Sequence, residues 1–184
     1  MNALKNHFLV SVPHMNDTLF GKSVVYICDH NKEGAMGLII NKSIDHRELK
    51  GIIKIQDLHS DQLENIKITI HFGGPVLIEK MIVLHTNTLK TKNAVVITNE
   101  ISISSEKDII KNISKNINMK YKLFLGHAGW GAGQLEREIK NGDWLLQSFN
   151  NELLFDIPSE KIWEQAIKSL GIDINDISNI GGMA

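Results

Sequence analysis

Apolar positions along the chain come in short runs separated by polar turns, and their period changes from two to nearly four and back. Phe8 to Val12, Ser23 to Cys28 and Ala35 to Asn41 are rich in β-branched and aromatic residues. The last two flank His30-Asn31-Lys32-Glu33-Gly34, which predicts a β-hairpin. Asp45 and Glu48 make a capping-box pattern ahead of Leu49, Ile52 and Ile53, so a helix is expected over about residues 46–57. Ile66, Ile68 and Ile70 alternate with Lys67, Thr69 and His71, the period of a half-buried strand that closes at Gly73-Gly74-Pro75. Further strands are expected at Met81 to His85, Ala94 to Thr98 and Glu100 to Ser104.

Ser105 and Asp108 open a second capping box, and Ile109, Ile113 and Ile117 then recur every fourth residue, which predicts a helix over about 106–117. Tyr121 to Leu125 reads as a compact apolar strand, followed by a glycine-dense loop, a short helix carrying Leu135 and Ile139, and a turn at Asn141-Gly142. A last helix opens at Pro158-Ser159, buries Ile162, Trp163, Ala166, Ile167 and Leu170, and ends where Gly171 supplies a left-handed residue. Many strands and about four helices, without regular strand-helix-strand alternation, give an α+β class rather than a doubly wound parallel sheet.

With 184 residues, 42% of them hydrophobic and 22% charged, the chain is expected to form a single domain over 1–184, with room for a small inserted subdomain. The formal net charge of −1 provides no bulk field toward nucleic acid or anionic lipid. A single cysteine, Cys28, excludes an intrachain disulfide and fits a reducing compartment. Phe8 to Val12 is far shorter than the roughly 18 apolar residues that span a bilayer, so the expectation is a cytoplasmic protein with no membrane partner.

The stretch Gly126-His127-Ala128-Gly129-Trp130-Gly131-Ala132-Gly133-Gln134 places four glycines between a strand and a helix. Amides at a helix start attract anions, and glycines let a ligand approach the main chain, so one reading is a phosphate or carboxylate cradle. The order is neither the dinucleotide fingerprint nor a Walker A loop. The competing reading is a close crossing of chain segments clamped by a buried Trp130. Gly73-Gly74-Pro75-Val76 and Gly34-Ala35-Met36-Gly37 are two further glycine-rich strand ends. If the three converge, they define a ligand cleft made from His30, Asn41, Gly73, Gly74, Trp130, Gly131, Gly133 and Gln134.

None of the eight histidines has a partner three or four residues away, and there is no Cys/His cluster, so no metal or other cofactor is expected. Cys28 and His30, two apart on one strand, would share a face and could form an activated thiolate; the competing reading of Cys28 is a small buried hydrophobe. Lys107, Lys111 and Lys115, with Lys120 and Lys122 beyond, make a basic stripe that a DNA-binding role would use, against the plainer reading of a solvated helix face.

Taken together, Phe8-Leu9-Val10-Ser11-Val12-Pro13, Ser23 to His30, Gly34 to Asn41, Gly73-Gly74-Pro75-Val76, Ala128-Gly129-Trp130 and Gly133-Gln134-Leu135-Glu136 resemble the AlgH/YqgE family of bacterial proteins. The similarity continues through Trp144, Leu154-Phe155, Trp163 and Leu170-Gly171, and so runs nearly end to end. It implies a bifurcated mixed sheet curled into a pseudo-barrel and a transcriptional-regulator label, with no catalytic residue, cofactor or substrate to carry over. Two positions depart from the family pattern: His127 stands where relatives usually have Tyr, and the chain ends Gly182-Met183-Ala184 rather than Gly-His-Ala. The preferred functional expectation is a regulatory or small-ligand-binding protein with an anion or a protein partner at the glycine-lined cleft. The alternatives are direct DNA binding, an enzyme using Cys28 and His30, and an assembly factor.

Overall fold

The computed structural model describes residues 4–15, 19–45, 69–87, 94–104 and 118–173. Their elements are β1 (His7–Ser11), β2 (Val24–Asn31), β3 (Gly34–Ile39), β4 (Ile70–Phe72), β5 (Val76–Thr86), β6 (Val95–Val96), β7 (Ile101–Ser104), β8 (Tyr121–Gly131), α1 (Gln134–Asn141), β9 (Trp144–Ser148), α2 (Asn151–Phe155) and α3 (Ser159–Ser169). The strands run in the order β6-β7-β5-β8-β3-β2-β1-β9, with β4 attached to β8 off this path. The class is α+β with a curled, half-barrel sheet, and three helices rather than about four occur among the described residues. The helices expected over 46–57 and 106–117, and the start of the strand at Ile66, lie outside those residues.

β8 organises the sheet. Tyr121 to Leu125 pair antiparallel with β5, while on the other edge Leu123 to Leu125 pair in parallel with β4. Farther along that second edge, Ala128 to Gly131 pair antiparallel with Gly34 to Gly37 of β3. One edge therefore carries two partners in succession, and the sheet forks. Gly73 closes the fork, its N–H donating to the Leu125 carbonyl and its carbonyl accepting from the Ile39 N–H, both at 2.9 Å.

β1 and β2 are buried at nearly every position because both faces are covered. Alternation sends Phe8, Val10, Val24, Tyr26 and Cys28 to a core shared with Leu153 and Leu154 of α2 and Ile162, Trp163, Ala166 and Ile167 of α3. Leu9, Val25 and Ile27 face a smaller core with Trp130, Leu135 of α1 and Trp144. The indole N–H of Trp163 donates to the Ser11 carbonyl at 2.9 Å and ties α3 to β1. The last helix forms as expected, opening at Pro158, and Gly171 follows it at φ +76°.

The principal departure from expectation is local. The glycine-dense stretch is β-strand as far as Gly131, and only Ala132 and Gly133 turn the chain into α1. β9 and α2 were not anticipated. No helix among the described residues is long and apolar enough to cross a membrane.

Candidate functional site

The glycine-rich strand ends meet the main chain of their neighbours. A Cβ on Gly74 would lie 2.2 Å from the His127 carbonyl carbon, and one on Gly126 would lie 2.3 Å from the Gly74 oxygen. Real Cβ contacts do not occur there, and both residues also have positive φ, so glycine is needed twice over. Gly73 faces Gly126 just as closely.

Trp130 is 7% exposed and packs edge-on to Trp144, with ring centroids 6.2 Å apart. Both indole N–H groups donate to Glu138 Oε2, at 2.8 and 2.9 Å. Gln134 spans this unit, its Nε2 donating to Glu138 Oε1 at 2.9 Å and its Oε1 accepting from the Gly131 N–H at 3.0 Å. His30, on β2, reaches the same helix through Nε2 and Glu136 Oε1 at 2.9 Å, while its Nδ1 accepts from the Leu4 N–H at 3.3 Å. Glu136 is held below the usual carboxylate range, first by a backbone amide and then by His30. Asn41 is fastened elsewhere, its Oδ1 accepting from the Val24 N–H and its Nδ2 donating to the Lys22 carbonyl.

The eight expected residues thus fall into separate sets. Trp130, Gly131, Gly133, Gln134 and His30 gather around α1; Gly73 and Gly74 sit at the fork of the sheet; Asn41 secures the start of β2. The polar side chains among them have partners within the protein.

Cys28 and His30 do not share a face. A bulge between Ile27 and Asp29 shifts the alternation, so Cys28 belongs to the core under α2 and α3 while His30 bonds to α1. Burial pushes the Cys28 thiol well up, opposite to what a nucleophilic thiolate needs. In the basic stripe, Lys107, Lys111 and Lys115 lie outside the described residues. Lys120 is paired with both oxygens of Asp156 at 2.7 Å, and Lys122 is buried.

Lys122 leads to a different place. Strand alternation puts it on the same face of β8 as Phe124, a core position where an apolar side chain is the rule. The parallel register sets His71 of β4 opposite Phe124, which makes His71 a diagonal neighbour of Lys122. The segment leading from α2 into α3 covers them and leaves an open cleft of about 560 Å³, lined by His71, Lys122, Asp156 and Ser159 among others and by none of the eight expected residues.

Lys122 is 9% exposed, and its Nζ donates to the Ile40 carbonyl at 3.1 Å. It makes no ion pair among the described residues, and burial lowers its pKa to about 8. His71 is buried as well. Its Nδ1 lies 3.3 Å from the Leu123 carbonyl and its Nε2 lies 2.9 Å from Ser159 Oγ. A carbonyl can only accept, so Nδ1 carries the proton and Nε2 accepts from the serine hydroxyl. Burial, then the neighbouring Lys122, bring the His71 pKa down to about 4, against the pull of the Leu123 carbonyl. Ser159 begins α3, whose N-cap is Pro158, so no side chain caps the first-turn amides.

Sequence reasoning missed this cleft. The one available signal was a lysine inside the apolar run Tyr121-Lys122-Leu123-Phe124-Leu125.

Residues 8–175 match the model of a protein family described as AlgH-like. The UPF0301 protein of Shewanella loihica is 38% identical over all of both chains, and that of Marinomonas sp. strain MWYL1 is 40% identical over 96% of this chain and 94% of its own. Among solved structures, the AlgH protein of Pseudomonas aeruginosa superposes with a TM-score of 0.74 at 34% identity, covering 98% of this chain and 94% of its own. A Corynebacterium diphtheriae protein at 20% identity shares the fold with a TM-score of 0.70, over 90% of this chain and 86% of its own.

Proposed function

The chain belongs to the AlgH-like family, and from that premise we propose that it binds a small carboxylate or phosphate in the cleft beside Lys122. The observation that carries this reading is a buried ammonium with no carboxylate partner among the described residues, facing a cleft into which the start of α3 also opens. Removing an ammonium from water costs several kcal/mol, which one carbonyl contact does not offset. An anion entering the cleft would supply the missing counter-charge, and the uncapped amides of α3 would add donors and a favourable dipole. Two carboxylates line the cleft: Asp156 is already paired with Lys120, and Glu160 is exposed and makes no ion pair with Lys122. The glycine-rich strand ends then serve the ligand indirectly, by holding β4 and its His71 against β8.

Titration of the protein with benzoate and with inorganic phosphate, followed by calorimetry and by the NMR signals of Lys122, tests the reading and separates the two anion classes. Binding by at least one of them is expected, with affinity lowered about tenfold or more in Lys122→Met. Because Lys122 loses its proton near pH 8, benzoate affinity should weaken as the pH rises above that value. Absence of binding by either anion at millimolar concentration, or equal binding by the variant, overturns it.

A further inference from the structure

We propose that Ser159 is a nucleophile with His71 as its base, and that the cleft cleaves acyl esters of small anionic molecules; this rests on the anion-binding reading above. The geometry has the parts such chemistry requires. The Ser159 hydroxyl donates to His71 Nε2 at 2.9 Å, and the Leu123 carbonyl, 3.3 Å from Nδ1, fixes the tautomer that leaves the Nε2 lone pair facing the serine. This is a nucleophile, a base and an orienting group in series, with a main-chain carbonyl in the last position. Ser159 is partly exposed and lines the cleft, so its oxygen can reach a substrate while the imidazole stays buried.

Two further features fit this assignment. Ser159 occupies the first turn of α3, where the amides of Ser159 and Glu160 lack a side-chain cap and can donate to the oxyanion of a tetrahedral intermediate. Lys122 selects for negative charge on the substrate. Burial is the larger cause that lowers the His71 pKa and Lys122 the smaller, so an anion that neutralises the ammonium relieves the smaller of the two oppositions to protonating His71.

In the reaction, Ser159 Oγ bonds to the ester carbonyl carbon and its proton passes to His71 Nε2. The carbon–oxygen bond to the alcohol breaks, and the alcohol leaves with that proton. Water then adds to the acyl-serine carbon and gives a proton to Nε2. Oγ leaves, recovers the proton, and the carboxylic acid is released. No oxidant, reductant or metal enters the balance.

The test uses 4-acetoxybenzoate, whose carboxylate lies on the leaving group, with phenyl acetate as the neutral control. Release of 4-hydroxybenzoate is followed by absorbance and acetylation by peptide mass mapping. Expected are an acetyl group on Ser159 of the native protein, none in Ser159→Ala, acylation slowed about a hundredfold in His71→Gln, and a KM raised by Lys122→Met for the charged ester alone. Acylation of lysines instead of Ser159, or unchanged hydrolysis in Ser159→Ala, overturns the assignment. If benzoate binds but the ester is not cleaved, the nucleophile fails and the anion site stands; if neither occurs, both fail.

Discussion

Around α1, the Trp130 and Trp144 indoles and the Gln134 amide all end on Glu138, and Gln134 in turn accepts from the Gly131 amide. At the cleft beside α3, Lys122 has three N–H donors and, among the described residues, one acceptor, the Ile40 carbonyl. Both regions bury polar groups against β8, yet one closes its hydrogen bonds internally and the other leaves charge uncompensated. Internal closure is what a structural joint requires. A buried cation facing open space is what a binding site requires, at some expense of stability.

The sharpest way to break this contrast is at Trp130. Trp130→Ala should lower stability by about 3–5 kcal/mol in urea denaturation while leaving benzoate affinity unchanged. A cost below about 1 kcal/mol would mean that the indole is not a packing element. Next comes acid sensitivity of the cleft. The folded His71 pKa of about 4 lies below its unfolded value of 6.5, so the unfolded chain takes up the proton first. Its contribution to stability is complete above pH 6.5 and drains as the pH falls toward 4, by about 3 kcal/mol in all. Denaturation at both pH values should show the drop in wild type and a smaller one in His71→Gln.

Glu138→Gln sharpens the comparison from the other side. It removes the charge that both indoles share and should cost about 1–3 kcal/mol, read from the denaturation midpoint. The smallest effect is expected for Lys122→Met, and its sign is opposite. The lowered pKa of Lys122 means that its charge opposes folding at neutral pH, so the variant should gain about 1 kcal/mol as it loses the anion. Destabilisation by Lys122→Met comparable to that of Glu138→Gln would erase the distinction between joint and site.

What the sequence made legible follows from how local each signal is. The β2–β3 hairpin, α1 with its Asn141-Gly142 end, and the buried stripe of α3 were readable from turns, caps and periodicity. β8 was cut short at Leu125 because its later glycines resemble a loop. They are strand residues because the Gly73-Gly74 segment crosses Gly126 too closely for a side chain while Gly129 and Gly131 pair with β3, and such neighbours appear only in three dimensions. β9 escaped notice because, of its five residues, only Trp144 is buried. In the candidate site, the internal fastening of Trp130 was within reach as the packing alternative. The cleft was not, since His71, Lys122 and Ser159 are distant in sequence and meet only through a parallel pairing and a helix start.

The position of β8 in the chain also governs how the molecule can be built. Strands β3, β4 and β5, all made earlier by the ribosome, find their common neighbour only when Tyr121 to Gly131 emerge. Until then two incomplete pleated ribbons expose unpaired amides, the condition under which nascent chains associate with one another. Most long-range pairings therefore form late and together, which favours slow, all-or-none maturation and makes polypeptides truncated before Tyr121 the ones most in need of chaperones.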